Sequence, residues 1–137
     1  MSTLSQSLPT PPPTTSITLH WLEKSRSQRI LFLLEELCIP YTLKTYARGP
    51  DKLAPPELRK VHPLGKSPVI EIKDTAQPEG KGLVIAESAE IVEYLCEYWG
   101  RGLIPARFAG SGAGGIGQET EAWMRYKYYM NYAEGSL

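Results

Sequence analysis

Two short alternating segments with an amphipathic stretch between them constrain the fold of this chain more than any other feature. Residues 17–21 (ITLHW) and 41–46 (YTLKTY) alternate apolar and polar side chains, which is typical of β-strands. Between them, four apolar residues fall at the i, i+3, i+4 and i+7 positions of one helix face: Ile30, Leu33, Leu34 and Leu37. About twenty residues and a helix between two strands allow a parallel crossover, which is right-handed in nearly all proteins.

The helix between the two strands has a start signal and a stop signal. Ser25 and Gln28 have the spacing of a capping box, in which a serine and a glutamine three residues later satisfy free N–H groups of the first turn. Ile39-Pro40 ends the helix, because the residue before a proline is driven out of the α region.

Further elements complete one domain. A short helix over 57–61 is followed by a third strand at 69–72 and a fourth at 82–85, and a longer helix runs from 87 to 99. The predicted order is therefore β-α-β-α-β-β-α. A crossover pair of strands followed by a hairpin and a closing helix is an α/β fold with thioredoxin-like topology.

The composition divides the chain into four parts. Residues 1–16 are almost all Ser, Thr and Pro, bury too little apolar surface to order, and are expected to be a disordered leader. Residues 17–99 form the folded domain, and residues 100–117, which include GSGAGGIG, form a linker. Residues 118–137 begin a truncated helical domain, whose aromatic helix has nothing of its own to pack on and so implies a missing domain or a partner chain.

Charge and hydropathy exclude several classes of protein. Fifteen basic and fifteen acidic side chains cancel, so nothing favours nucleic acid or an acidic membrane surface. The N-terminus lacks a signal peptide, and the longest apolar stretch, residues 30–34, is too short for a membrane span. We therefore expect a soluble, cytoplasmic protein.

Two sequence features are not interpreted as binding sites. Cys38 and Cys96 have no metal-type spacing and fall in apolar helical patterns, which predicts two buried, reduced thiols and no metal site. Residues 112–117 (GAGGIG) match a dinucleotide-binding pattern, but they follow a polar linker and not a strand, so we do not expect nucleotide binding.

Three polar patches are expected to converge at one end of the predicted sheet: residues 25–27, residues 65–68 and residues 87–88. The same patches lie in segments that resemble the glutathione S-transferase family, in the serine-containing subgroup found in fungi and bacteria. The segments are HWLEKSRSQRILFLLEEL, APPELRKVHPLGKSPVIEI and AESAEIVEYL, and the resemblance covers roughly residues 17–98. It implies a glutathione-binding, thioredoxin-like domain.

The resemblance implies a role for five residues in binding glutathione. The bond between Ser67 and Pro68 would be cis, and this step would hold the cysteinyl part of glutathione. Lys66 would reach the glycyl carboxylate. Glu87 and Ser88 begin a helix, where free N–H groups and the helix dipole favour a carboxylate, and Glu87 is an anion suited to an ammonium group. The alternative is that Ser88 only caps the helix and Glu87 only complements its dipole.

Ser25 is the predicted catalytic residue. The nucleophile in the family's reaction is the thiol of glutathione. A free thiol has a pKa of about 8.5, so the reaction needs a group that stabilises the thiolate. A hydroxyl donor at a helix N-terminus meets that need. The alternative is that Ser25 only caps the helix, and Ser27 and Lys24 are the nearest rivals for the contact with sulfur.

The predicted function is conjugation of the glutathione thiolate to small electrophiles, a detoxification reaction with glutathione as co-substrate and no cofactor. By resemblance the full-length protein would be a homodimer. One alternative is a glutathione-dependent peroxidase or disulfide reductase, although no cysteine lies near Ser25 to form a mixed disulfide. Another alternative is a non-catalytic module that binds glutathione or a protein. Because only the first helix of the second domain is present, we expect weak glutathione binding and little activity, and the electrophile is not identified.

Overall fold

This computed structural model describes residues 10–110 and 114–135. These residues contain four strands, four α-helices and one 3-10 helix. In chain order they are β1 (Thr15–Leu22), α1 (Ser27–Glu36), β2 (Thr42–Tyr46), α2 (Leu58–Val61), β3 (Val69–Asp74), β4 (Leu83–Ala86), α3 (Ser88–Trp99), the 3-10 helix (Arg101–Leu103) and α4 (Glu121–Gly135). The predicted order of elements is confirmed.

The strands form one mixed sheet in the order β2-β1-β3-β4. β1 runs parallel to β2, with Leu19 opposite Leu43, so the crossover through α1 joins two parallel neighbours as predicted. β3 is antiparallel to β1 and to β4, with Ile70 opposite both Leu19 and Ile85. This is the predicted α/β arrangement with thioredoxin-like topology.

One face of the sheet packs against α1 and α3 to form the main core. Ile30 and Leu34 from the predicted apolar face of α1 are fully buried, whereas Leu33 and Leu37 are half-buried at its edge. The buried cluster contains Ile17, Leu19, Ile30, Leu34, Ile39, Ile70, Ile85, Ile91 and Leu95. Burial of this apolar surface supplies most of the folding free energy.

The opposite face of the sheet carries a smaller, more polar cluster. His20, on this face of β1, is only 3% exposed. Its Nδ1 lies 2.9 Å from the Tyr46 hydroxyl, and its Nε2 lies 3.7 Å from the Glu71 carboxylate without a hydrogen bond. Burial, the largest influence, lowers the pKa of His20, and the Glu71 charge partly opposes it.

The start of α1 differs from the prediction. The N-cap residue is Arg26, and no side chain caps the helix. The Ser25 hydroxyl accepts a hydrogen bond from the Ser27 N–H, two residues on, and the Gln28 amide oxygen accepts one from the Trp21 indole. The predicted capping box is therefore wrong, because tertiary partners take both of its side chains.

The first strand begins two residues earlier than predicted, whereas α3 ends at Trp99, where the predicted helix ends. Thr15 and Ser16 belong to β1, where they pair with Asp74 and Lys73, so the strand begins inside the predicted leader. Residues 1–9 of that leader and residues 111–113 of the predicted linker lie outside the described residues. The rest of the linker contains the 3-10 helix, and its Arg107 carbonyl accepts a 2.8 Å hydrogen bond from the Thr120 N–H.

Helix α4 packs against α3, contrary to the expectation that it has nothing to pack on. Lys127 forms an ion pair with Glu93 of α3. One face of α4 is half-buried and carries Trp123, Tyr126, Met130 and Ala133. Burial raises the pKa of Tyr126 to about 12. No described residue of α4 is fully buried, so its contact with the domain is shallow.

The two cysteines are free thiols, as predicted, but only Cys96 is buried. Burial raises the pKa of the Cys96 thiol. The prediction that Cys38 is buried is wrong: α1 ends at Glu36, and Cys38 follows with φ of 52°, which turns it away from the apolar face.

Within the described ranges, no helix combines the length and the apolar character needed to cross a membrane. The same ranges contain no cluster of three or more His, Cys, Asp or Glu side chains that could hold a metal ion.

Candidate functional site

A cleft lies at one end of the sheet, where the N-termini of α1 and α3 meet the loop before β3 and the end of α4. Its lining residues are Arg26, Leu64, Lys66, Ser67, Pro68, Ala86, Glu87, Ser88 and Glu134. The structure thus brings together five of the six residues predicted from the sequence to form a site. The sixth, Ser25, neighbours Arg26 but is not one of the lining residues.

The loop before β3 supplies Lys66, Ser67 and Pro68. The Ser67–Pro68 peptide bond is cis, as the family resemblance implied. The Ser67 hydroxyl donates a 2.7 Å hydrogen bond to the His20 carbonyl, which ties the loop to the central strand. No described residue bonds to the Ser67 backbone N–H or C=O. These two groups are therefore free to pair with an extended ligand.

Gly65 gives this loop its turn. Its φ is 59°, and a Cβ at this position would lie 2.5 Å from the Arg59 side chain. Both the backbone conformation and the close approach therefore require glycine here.

The junction between β4 and α3 supplies Glu87 and Ser88. Glu87 is the N-cap of α3 with φ of 73° and ψ of 125°, and none of the described side chains caps the helix. A non-glycine residue held in such a conformation costs about 1–3 kcal/mol, and this kind of strain is concentrated at functional sites. The first N–H groups of α3 lack helical partners and carry the positive end of the helix dipole. The junction therefore offers an anion site next to the Glu87 carboxylate.

The end of α4 closes the cleft through an ion-pair network with α1. Arg26 Nη1 lies 2.6 Å from one oxygen of the Glu134 carboxylate, and Arg29 Nη1 lies 2.7 Å from the other. Glu134 is 24% exposed, and the two arginine side chains are about half exposed. Since Glu134 is shared by two cations, the three side chains together carry one positive charge.

The two serines that flank Arg26 point away from the cleft lining. Ser27 is fully buried, and its hydroxyl lies 3.0 Å from the Leu22 carbonyl oxygen. The Ser25 hydroxyl lies 2.7 Å from the same carbonyl and 2.5 Å from the Ser27 hydroxyl. Lys24, the other rival, is exposed and lines a different surface depression with Arg48.

Sequence reasoning missed Arg26 and Glu134 as cleft residues. Arg26 lies inside the first polar patch, between two serines, and that position was the signal that could have identified it as a cleft residue. Glu134 is 108 positions from Arg26 and follows the predicted linker, and nothing in the local sequence connects it to the cleft.

The lining carries charges of both signs. Arg26 and Lys66 are the cations, and Glu87 and Glu134 are the carboxylates. Together with the anion site at α3, this pattern suits a peptide-like ligand that carries carboxylates and an ammonium group.

Comparison with known proteins decides the family. The family model for "Glutathione S-transferase, N-terminal domain" matches residues 25–98, more than half of the chain. The chain belongs to the glutathione S-transferase family. Glutathione S-transferase 1 of Saccharomyces cerevisiae is 35% identical to it over 88% of this chain and 47% of that protein. Glutathione S-transferase 3 of Schizosaccharomyces pombe is 36% identical over 88% of this chain and 42% of that protein.

Solved glutathione S-transferase structures share the fold. A glutathione S-transferase from Actinobacillus pleuropneumoniae aligns with a TM-score of 0.62 and 37% identity, over 82% of this chain and 45% of that one. A glutathione transferase family member from Pseudomonas fluorescens, solved with two glutathione molecules bound, aligns with a TM-score of 0.57 and 24% identity, over 85% and 44% of the two chains. The chain therefore spans less than half the length of each of these four proteins.

Proposed function

We propose that this chain binds glutathione in the cleft and conjugates its thiolate to electrophilic small molecules, at the low rate expected from the sequence. The observation that carries the proposal is the convergence of Lys66, Ser67, Pro68, Glu87 and Ser88 on one cleft from segments far apart in the sequence. The glutathione bound to the Pseudomonas fluorescens relative supports the choice of ligand.

The N-terminus of α3 is suited to the γ-glutamyl end of glutathione. Its free N–H groups and the Ser88 hydroxyl would bind the carboxylate, and Glu87 would bind the ammonium group on the same carbon. A helix N-terminus and an adjacent carboxylate complement an α-amino acid in both charges. This complementarity would give the strained backbone of Glu87 a function, since strain of this kind is concentrated at functional sites.

The loop before β3 is suited to the rest of the tripeptide. The free backbone N–H and C=O of Ser67 would pair with the cysteinyl backbone, as a strand edge pairs with an extended peptide. Lys66, which is exposed at the rim, would bind the glycyl carboxylate. The cysteinyl sulfur would then project towards the N-terminus of α1, which carries Ser25 and Arg26.

Conjugation needs binding, orientation and deprotonation of the thiol. The thiol proton leaves to bulk water, and the S–H electron pair stays on sulfur. The thiolate then attacks the electrophilic carbon, a carbon–sulfur bond forms, and the leaving group departs with its bonding pair. Neither cysteine of the chain lines the cleft, which favours this reaction over one through a mixed disulfide with the protein.

Calorimetric binding of S-methylglutathione and turnover of chlorodinitrobenzene test the proposal. Glu87→Gln keeps the shape of the side chain and removes its charge, so we expect about tenfold weaker binding from the loss of one charge-assisted interaction. Glu90→Gln is the matched control, because Glu90 is exposed on the same helix and lies outside the cleft lining.

Three results would decide between the candidate functions. Conjugation that is sensitive to Glu87→Gln supports the transferase proposal. Turnover of hydroperoxides or disulfides with no conjugation supports the reductase alternative, and binding without any turnover supports a non-catalytic module. Equal binding by the Glu87→Gln and Glu90→Gln variants would contradict the proposed γ-glutamyl site.

A role in detoxification, a cytoplasmic location and a homodimer are proposals that rest on the family. Light scattering of the purified chain tests the dimer. Fluorescent tagging in the source cell tests the location.

A further inference from the structure

Arg26 is the one residue of the segment 24–27 whose side chain lines the cleft. That segment forms the turn into α1, where the proposed function places the glutathione sulfur. The cleft therefore has a guanidinium in its lining at the turn towards which the proposed function directs the thiolate.

The neighbouring serines have no hydroxyl hydrogen to spare. Each has one, and both hydroxyls lie within hydrogen-bond distance of the Leu22 carbonyl, at 2.7 Å for Ser25 and 3.0 Å for Ser27. The two hydroxyl oxygens are only 2.5 Å apart, so one of them must donate to the other. The second then donates to Leu22. In either arrangement, donation to a bound sulfur would break a hydrogen bond that the protein already makes.

The Arg26 guanidinium has donors to spare and is held in place. A guanidinium has five N–H donors and stays protonated in proteins. Within the part of the chain that the structure describes, only Nη1 is engaged, with Glu134, and the other oxygen of that carboxylate bonds to Arg29. Because Arg29 shares the charge of Glu134, Arg26 is oriented without being neutralised.

We propose that the Arg26 guanidinium is the catalytic group that binds and stabilises the glutathione thiolate. The inference rests on the proposed function, and it assigns to Arg26 the contact with sulfur that the sequence assigned to Ser25. Glu134 and Arg29 are positioning residues for this contact. A cation within 4–6 Å favours the charged form of a thiol, so the thiolate fraction at neutral pH would rise about tenfold.

A pH titration of bound glutathione, followed by the ultraviolet absorbance of the thiolate, tests the assignment on the 137-residue chain. Arg26→Met should lower the thiolate fraction at neutral pH about tenfold, and Arg26→Lys should recover part of it. Ser25→Ala should change it by less than about twofold. Arg125→Met is the matched control, because Arg125 is an exposed arginine whose partner is Glu121 on its own helix.

A ligand without a thiol separates chemistry from simple binding. S-methylglutathione should bind the Arg26→Met variant within about threefold of the wild type, since the lost interaction involves only the thiolate. Circular dichroism checks that each variant is folded. If Arg26→Met is poorly folded, Arg26→Lys, which keeps the charge, takes its place in the comparison.

Two results would overturn the inference. One is an unchanged thiolate fraction in Arg26→Met together with a fall in Ser25→Ala, which would return the role to the serine and leave the proposed function intact. The other is failure of the wild-type chain to bind S-methylglutathione, which would overturn the proposed function as well.

Discussion

The Ser67 hydroxyl donates a 2.7 Å hydrogen bond to the main-chain carbonyl of His20, 47 positions earlier in the chain. This bond joins the loop that precedes β3 to β1, in the middle of the sheet. It holds the loop by its side chain and leaves the Ser67 backbone N–H and C=O for a ligand.

Ser67→Ala should therefore affect stability more than binding. We expect a loss of about 1 kcal/mol in the free energy of unfolding, the typical contribution of one hydrogen bond, measured by urea denaturation. Glutathione affinity should fall by less than about threefold, because the proposed contacts use the Ser67 backbone.

Ser16→Ala is the control for this variant. The Ser16 hydroxyl makes a longer, exposed hydrogen bond of 3.4 Å to the Lys73 carbonyl. Its loss should cost less than about 0.5 kcal/mol. Equal destabilisation by the two substitutions would mean that the bond to His20 does not secure the loop.

Glu134→Gln should loosen the last helix. The substitution removes the charge that both Arg26 and Arg29 contact, so amide hydrogen exchange along α4 should become faster. The change in global stability should be at most about 1 kcal/mol, because these ion pairs are partly exposed, and it should shrink in high salt.

Glu121→Gln tests whether the exchange effect is specific. Glu121 pairs with Arg125 on the same helix and both side chains are exposed, so this variant should exchange like the wild type. Faster exchange in both variants would point to a general loss of helicity and not to the contact with α1.

His20 should make the fold less stable in mild acid. Burial lowers its pKa below that of an unfolded histidine, so below about pH 6.5 the unfolded chain binds more protons than the folded one. The stabilisation is complete above that pH and is lost as the pH falls towards the folded-state pKa. We expect the free energy of unfolding to fall between about pH 7.5 and about pH 5.5, measured by urea denaturation.

His20→Gln should remove most of this pH dependence, whatever its effect on absolute stability. The other histidine supplies the control: His62→Gln keeps His20 and should keep the difference between the two pH values. An unchanged difference in His20→Gln would assign the effect to other groups.

The two cysteines should differ in reactivity. Iodoacetamide should modify Cys38 at least about tenfold faster than Cys96 in the native chain, because Cys38 is exposed while Cys96 is buried with a raised pKa. Peptide mass mapping over time measures both rates. In denaturant the difference should disappear, and its persistence there would show that local sequence and not burial is the cause.

Hydrophobic periodicity predicted most of the fold. The strands near 17–21 and 69–72 and the helix from 87 to 99 lie within two residues of the observed bounds. These elements obey their local pattern because the same side chains that set the pattern fill the core. Element ends were less certain, as Cys38 shows: the apolar pattern continues past Glu36, but the helix does not.

The cleft was only partly predictable. The predicted residues lie in the short segments on which the family resemblance rests: Lys66, Ser67, Pro68, Glu87 and Ser88. Glu134 was missed because its place depends on how α4 packs against the domain, which local sequence does not encode. The hydroxyl network of Ser25 and Ser27 was missed for the same reason. Both hydroxyls reach the Leu22 carbonyl only in the folded turn between β1 and α1.

The pairing of Arg26 with Glu134 has a consequence for biosynthesis. The residues of the thioredoxin-like core are synthesised before those of α4, so the core emerges earlier than the wall of the cleft that Glu134 supplies. A nascent chain thus acquires its fold before it acquires the complete cleft, and α4 finishes the site that α1 begins.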